Sequence, residues 1–415
     1  STSMPQSLAL RVFLPFALGY FASSIFRSIN GVIAPDLVRD LGLDATELGF
    51  IGSTYFVGAM LLQIPLGILV DRYGPRIVYV VCLVLGAAGS AIFGLAYGVA
   101  GLAVGRFLTA IAAAASAACA LKAYVLWYPK ERLPFLNGLG FAAGGLGVMV
   151  GTTPVELALP LLDWRDIHII AAAAILATAI FVWAAVPRSN GGHNSGSLTD
   201  QIKGLGLVVR DLNFLRIAPL LVFMVGALGA MQSLWAGLWL RDVAAISGTR
   251  AANILLLIAA SMTLSFFLSG PTAKVLGGFG LSPMSGSILG AVLFTGVAVA
   301  LVSQAFLAPA AVAILWFLFA YFATMGMLAY AGLGQLYPAT LIGRVNACLH
   351  LCWILGVFAL QNIFGFVLDK FPTATPGSYA PEGHRIVIGI IAASTALAVL
   401  WYWAAPKLIG KRKIL

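Results

Sequence analysis

The sequence predicts an all-α integral membrane protein with about twelve transmembrane helices in two six-helix bundles, and three observations carry that prediction. The first is composition. Of 415 residues, 61% are hydrophobic and 9% charged, whereas about a quarter of a soluble domain is charged. The second is recurrence: apolar stretches long enough to cross ~30 Å of hydrocarbon as a helix follow one another from end to end. The third is symmetry. A polar stretch from Arg188 to Asn213 divides the chain, and the two sides share residues at nearly constant spacing.

The spans expected on the first side are 9–33, 46–70, 77–97, 101–127, 134–160 and 166–187. Span 1 holds Arg27 inside an apolar run. Span 2 ends on Gly67-Ile-Leu-Val-Asp-Arg-Tyr-Gly-Pro-Arg76, a charged turn that leads into span 3. Gly67 would let span 2 approach a neighbour closely, and Gly74 would permit the sharp turn. Span 4 begins at Gly105-Arg106 and carries Lys122 near its far end. Span 5 has Gly140, Gly144, Gly147 and Gly151, a small-residue spacing that reads as an interface between the halves, with Glu156 beyond it. His168 lies in span 6.

On the second side the expected spans are 214–239, 251–273, 283–304, 308–335, 344–368 and 385–405. The first of these carries Gln232, Trp235 and Trp239. The fifth carries His350, Trp353, Gln361 and Asn362. The domain reading is therefore 1–187 and 214–415, joined by a cytoplasmic linker over 188–213 whose Ser189-Asn-Gly-Gly-His-Asn-Ser-Gly-Ser197 has flexible-linker composition. Tyr128-Pro129, Asn137 and Gly147 recur 209 residues later as Tyr337-Pro338, Asn346 and Gly356; Gly31 and Asp36 recur 206 residues later as Gly237 and Asp242. Such a repeat predicts bundles related by an axis along the membrane normal, with a cleft at mid-depth that rocking would expose to each side in turn.

A formal charge of +10 invites a nucleic-acid reading, but its distribution points elsewhere. Lys and Arg concentrate in alternate loops, those holding Arg72, Arg76, Lys130, Arg132, Arg188, Lys203 and Arg210. That asymmetry places both termini in the cytoplasm. Span 1 would itself direct insertion, and the compartment expected is a cell inner membrane crossed many times. The four cysteines, Cys82, Cys119, Cys348 and Cys352, fall inside spans and read as small apolar packing residues. No cofactor or metal set is expected. An intramembrane enzyme would need a nucleophile–base pair or a metal cluster, which one Glu156 and two separated histidines do not supply.

The run from Gly67 to Arg76 resembles the loop signature of the major facilitator superfamily, and Gly105-Arg106-Phe-Leu is similar to that superfamily's helix-4 arginine motif, with Ala110 where a glycine would follow. The resemblance implies a secondary transporter in which Asp71, Arg72 and Arg76 form a cytoplasmic gate. The second half has only a degenerate copy, Gly270-Pro-Thr-Ala-Lys-Val-Leu-Gly277, with Lys274 where the acid would stand. Phe26-Arg27-Ser-Ile-Asn30, Ala34-Pro35-Asp-Leu37, Leu62-Gln-Ile-Pro65, Leu121-Lys122, Trp127-Tyr128-Pro129 and Glu131-Arg132 resemble the anion:cation symporter branch. That likeness implies a small organic or inorganic anion as substrate, carried with protons or by exchange. Two acids usual in the branch are missing: Phe26 precedes the helix-1 arginine, and Ala112 to Ala115 fill mid-helix 4.

Charges at membrane depth cost ~2.5–3.5 kcal/mol on insertion scales and so face cavities or partners. Arg27 would lie roughly 9 Å below one interface and Lys122 roughly 7 Å above the other. The two could bracket an anion, with Gln232, Trp235, Trp353, Gln361 and Asn362 lining the other half of the site. Lys122 could instead snorkel to headgroups, and Trp235 with Trp239 could form an interfacial belt. Arg106 reads as structural, with Glu156 paired to it or to His168. Glu156 and His350 are the candidates for proton coupling. The expected partners are a small anion, protons and the bilayer, for a monomer. The alternative within transport is a broad-specificity exporter of drug-like or siderophore-like molecules that binds through the aromatic residues.

Overall fold

The computed structural model describes residues 9–129, 133–188, 205–305, 308–337 and 339–408, and among these the chain is helical, with a single antiparallel bridge between Pro372 and Tyr379. Most of the expected linker, and the expected motif residues Glu131, Arg132 and Pro338, lie outside the described residues. Among the described residues ten helices are long and apolar enough to cross a membrane, or eleven if a bent helix pair counts as one span. A shorter apolar helix, Leu139–Val150, falls where the remaining span was expected. The protein is a multi-pass membrane protein.

In the first half, α1 (Leu14–Ser24) follows a π-turn over Ala9–Phe13. A 3₁₀ turn (Ile25–Arg27) then leads into α2 (Ile29–Leu41), bent by 45° from the helix before it. Next come α3 (Ala45–Tyr73), α4 (Pro75–Gly94), α5 (Val99–Trp127), α6 (Leu133–Val150), α7 (Thr153–Ala158) and α8 (Trp164–Ala185). Span 5, expected over 134–160, is thus broken at Gly151–Thr152, because Pro154 starts a new helix and cannot donate to the old one. Gly74 turns the chain between α3 and α4 at φ 80°, where only glycine is unstrained.

The second half continues with α9 (Leu212–Leu220), α10 (Gly226–Ala230) and α11 (Ala236–Asp242), one span interrupted by π-turns at Leu221–Val225 and Met231–Trp235. Then follow α12 (Gly248–Gly278), α13 (Pro283–Ser303), α14 (Pro309–Thr324), α15 (Leu328–Gly334), α16 (Ala339–Leu368) and α17 (Pro381–Leu408).

The chain forms two compact units, one of Ser1–Leu41 with Thr54–Leu198, the other of Gly42–Ser53 with Thr199–Leu415. Within the first, side chains at Gly144 and Gly147 would collide with Tyr20 and the Phe21 carbonyl, and one at Gly151 with Ser28. The small-residue face of span 5 therefore packs on helix 1 of its own unit. The expectation that it joins the halves is corrected: bare backbone there serves close helix crossing within one bundle. A second correction concerns Gly67, whose added Cβ would meet nothing within 4 Å. The repeat nonetheless has structural content. Gly356, the counterpart of Gly147, likewise sits against a helix backbone, at the Val222 carbonyl.

Two polar clusters fix the second unit. The Asp242 side chain is fully buried and accepts four hydrogen bonds, from Arg241 Nε (2.7 Å), Ser378 Oγ (3.0 Å), the Tyr379 N–H (3.0 Å) and His384 Nε2 (3.0 Å). The N-terminus of α3 is closed from two directions. Asp44 and Glu47 exchange backbone-to-carboxylate bonds in a capping box. Asp369, beyond the end of α16, accepts from the N–H groups of Ala45 and Thr46, each at 2.8 Å. All four orphan donors of that first turn are thereby satisfied.

Candidate functional site

Arg27 ends the 3₁₀ turn at the bend of helix 1. The bend is pinned by Ser28, whose hydroxyl donates to the Val148 carbonyl at 2.6 Å, across the close crossing that Gly147 and Gly151 allow. Arg27 is half-buried, and its guanidinium acts electrostatically on the Tyr20 and Tyr55 hydroxyls. Arg106 adjoins the same place. It is 1% exposed, donates to the carbonyl of Phe26, the residue before Arg27, and lies 4.6 Å over the Tyr55 ring. Its Nε and Nη2 are buried without a partner. Two guanidinium groups and two tyrosines thus gather in one bundle. Their field is strong, since charge–charge energy grows as the local dielectric falls.

Lys122 has a different setting. Its ammonium lies 2.6 Å from the Asp71 carboxylate, and both side chains are 33% exposed. The cation expected beside the substrate and the acid expected in the gate are partners. The headgroup-snorkelling alternative for Lys122 gives way to this ion pair. Of the other gate candidates, Arg72 is exposed, with its guanidinium 5.4 Å from the Tyr73 ring. Arg76 donates to the Trp183 carbonyl and stands 4.6 Å over the Trp183 ring, so it closes the end of α8. Glu156 was expected beside Arg106 or His168. Instead it stands near Asp36, itself paired with Arg39 at 2.8 Å. His168 directs Nδ1 to the Trp164 carbonyl at 2.9 Å and stacks on Phe93.

Near the middle of α5, where the branch would carry an acid, the chain has a hydroxyl chain. Ser116 Oγ bonds Ser23 at 2.8 Å and accepts from Tyr79 at 2.9 Å, while donating to the Ala112 carbonyl at 2.7 Å. The group is neutral and satisfied, so it holds α1, α4 and α5 together without offering a titrating carboxylate.

The second unit supplies uncharged groups. Gln232 lies in the π-turn Met231–Trp235; it is 2% exposed, and neither amide atom has a hydrogen-bond partner. A buried amide left without partners is uncommon and calls for a ligand or water, and π-turns recur at functional positions. Gln361 donates to Ser233 at 2.9 Å, and Asn362 donates to the Phe358 carbonyl at 2.8 Å. Trp235 and Trp239 are buried, at 0% and 1% exposure. The interfacial-belt alternative for them is therefore corrected. The Trp353 indole N–H donates to His350 Nδ1 at 3.1 Å. Indole is a donor only, so Nδ1 must be the bare nitrogen and Nε2 carries the proton. Outside the spans, the Tyr337 hydroxyl donates to Asp211, and burial together with that bond raises it above the ordinary tyrosine range.

The structure thus places Arg27 with Arg106, Tyr20 and Tyr55, and places Lys122 with the gate residue Asp71. Tyr20 and Tyr55 were missed by sequence reasoning. A signal for Tyr20 existed: it precedes Arg27 by seven residues, two helical turns, and so shares its face. Among the described residues no group of three or more His, Cys, Asp or Glu is placed to hold a metal ion.

The model of the Major Facilitator Superfamily matches residues 16–358. The hexuronate transporter of Escherichia coli (strain K12) is 28% identical over 167 residues, 40% of this chain and 38% of that protein. The 4-hydroxybenzoate transporter PcaK of Pseudomonas aeruginosa is 26% identical over 179 residues, 43% of this chain and 40% of that protein. The chain thus spans about two fifths of the length of these curated relatives. Among solved structures, a bacterial homologue of the human lysosomal transporter Spinster superposes with a TM-score of 0.78 at 17% identity, covering 98% of each chain. The nucleoside transporter NupG gives 0.74 at 15% identity, over 95% of this chain and 99% of that one. At such identities the likeness concerns the fold.

Proposed function

The chain belongs to the Major Facilitator Superfamily, and on that premise we propose that it is a secondary transporter that carries a small organic anion across a cell inner membrane by alternating access, with both termini in the cytoplasm. The observation that carries the anion reading is Arg27, a half-buried cation at the helix-1 bend with a second guanidinium, Arg106, in the same place. A carboxylate reaching Arg27 gains charge-assisted bonds that are strong away from bulk water. It can also accept from the hydroxyls of Tyr20 and Tyr55. The names of the hexuronate and 4-hydroxybenzoate transporters support a carboxylate. Gln232, whose buried amide is unpartnered, is the neutral binding candidate of the second unit. Trp235, Trp353, Gln361 and Asn362 are the other uncharged binding candidates of that unit.

Asp71 and Arg72 are the gate groups in this reading. Lys122 joins them through Asp71, and Arg76 fixes the neighbouring helix end. The neutral hydroxyl chain around Ser116 supports exchange or a coupling group other than the branch's two missing acids. Glu156 is that group here; His350 is disfavoured by Trp353, whose bond to Nδ1 would have to break on protonation.

Uptake into proteoliposomes tests the proposal. Labelled glucuronate and 4-hydroxybenzoate should accumulate or exchange, and unlabelled carboxylates should compete while cationic compounds do not. Competition by organic cations of similar size, with none by carboxylates, would remove the anion reading and favour a broad-specificity exporter.

A further inference from the structure

The last span of each unit ends on the same pattern: an aromatic residue, three residues, a proline and a cation. The two copies are Trp183-Ala-Ala-Val-Pro187-Arg188 and Tyr402-Trp-Ala-Ala-Pro406-Lys407. Proline has no N–H to return to the carbonyl four residues before it. The carbonyls of Trp183 and Tyr402 are therefore left over, and in each unit an arginine from another helix takes the one it faces. Arg76, at the start of α4, donates to the Trp183 carbonyl and stands 4.6 Å over the Trp183 ring. Arg216, on α9, donates through Nε to the Tyr402 carbonyl at 3.0 Å and lies 4.2 Å over the Tyr402 ring. We propose that each of these clasps binds the headgroup of an anionic phospholipid, with the stacked guanidinium and the cation after the proline as the two groups that hold its phosphate.

The carbonyl engages one nitrogen of each guanidinium, and the ring covers one face. A guanidinium has five N–H donors in a fixed fork. In Arg216 the Nε bond and the ring beneath set the direction of the Nη edge, which no hydrogen bond engages among the described residues. A fork held in that way suits the paired oxygens of a phosphate. Lys407 stands five residues beyond Tyr402, roughly 7.5 Å along the helix, and is exposed, as Arg188 is in the first unit. Trp401 Nε1 donates to the Leu215 carbonyl at 2.9 Å, which fixes α17 on α9 beside the clasp. The acids near in sequence are already engaged. Asp211 is buried and bonded by the Tyr337 hydroxyl, and Asp71 is held by Lys122 at 2.6 Å.

A free phosphate would need the cations alone, but what surrounds them has the order of a lipid molecule. Leu397, Leu400 and Trp403 are exposed at helical spacing and form a stripe along α17 that leads to Lys407. Leu176, Ile180 and Trp183 do the same along α8 toward Arg188. Exposed apolar side chains, then an indole, then a cation match acyl chains, a glycerol region and a charged phosphate. Indoles gather at that depth of a bilayer, and basic clusters directly beyond a span attract anionic lipids. In the sequence Lys411, Arg412 and Lys413 follow Lys407 with no acid between them.

Native mass spectrometry of the purified full chain in a neutral detergent counts the lipids it holds as phosphatidylglycerol or phosphatidylcholine is added. Phosphatidylglycerol should bind more tightly than phosphatidylcholine, at two sites. One Lys or Arg near a membrane surface is worth about fivefold in such binding. Lys407→Gln should weaken one site by about that factor, and Lys407→Gln with Arg188→Gln should weaken both. Both side chains are exposed, and the chain should fold without them. Arg216→Lys, which retains the charge and gives up the planar fork, should weaken the α17 site alone. Lys274→Gln removes an exposed cation elsewhere in the second unit and should change nothing. All these variants leave Arg76, which the gate reading includes, in place.

Equal affinity for the two lipids overturns the inference. So does full affinity in the double variant, or an equal loss in Lys274→Gln, which would make net charge the whole cause. Displacement of bound phosphatidylglycerol by millimolar inorganic phosphate would assign the clasps to the free ion and overturn the lipid reading.

Discussion

The carboxylate of Asp369 accepts a hydrogen bond from the backbone N–H of Ala45, at 2.8 Å and 324 residues away in the chain. It accepts from Thr46 in the same way. Helix N-termini expose donors that need partners and carry partial positive charge, so an ionised carboxylate is well suited there. Asp369→Ala should lower stability by about 1–2 kcal/mol, the cost of losing a good cap. Asp369→Asn, which keeps the acceptor and loses the charge, should cost less. Thermal unfolding in detergent measures both, and equal, negligible shifts would show the contact to be incidental.

Asp242 presents a harsher case. Its carboxylate is buried and bound by four donors from Arg241, Ser378, Tyr379 and His384. Removing it leaves the part-buried Arg241 guanidinium and the buried His384 without their acceptor, and breaking a buried pair costs about 3–5 kcal/mol. Asp242→Ala should therefore reduce the yield of folded protein far more than Asp369→Ala. A variant with parental melting behaviour would mean that water enters the cluster freely.

The glycines sort into three kinds. Gly356 packs on the Val222 carbonyl, so Gly356→Leu should be strongly destabilising. Gly74 has φ 80°, and Gly74→Ala should cost about 1–2 kcal/mol. Gly67 has open space around it, and Gly67→Ala should be neutral or slightly stabilising through helix propensity. Melting temperatures for the three variants test that order. Reversal of the first and third would mean that the packing described here is not the dominant one.

These outcomes bear on what the sequence could disclose. Hydropathy made the long helices readable, because crossing hydrocarbon imposes length and composition together. The turn at Gly74 was legible because its glycine stands between two apolar runs. The break at Ser28 was not, since it depends on a contact from another helix, that of Ser28 with Val148. For the same reason the site was only half legible. Charged residues in apolar runs pointed to Arg27 and Lys122, but pairing is a property of the fold. Nothing local at Lys122 announces that Asp71, 51 residues earlier, meets its charge.

His350 and Glu156 divide the coupling question. The Trp353 indole donates to His350 Nδ1, and His350→Gln should leave flux driven by a proton gradient unchanged. Loss of that flux in the variant would bring His350 into the coupling. Glu156→Gln should uncouple flux from a proton gradient while leaving exchange intact. Accumulation equal to the parent protein would leave exchange as the better account.

The central claim is that Arg27 is the counter-charge for a carboxylate. Calorimetric titration of glucuronate and 4-hydroxybenzoate into the parent protein, Arg27→Lys and Arg27→Ala tests it most directly. The account predicts measurable binding of at least one of them by the parent, weakened binding in Arg27→Lys, whose ammonium lacks the planar two-point geometry, and none in a folded Arg27→Ala. Binding of parental affinity in Arg27→Ala would contradict it.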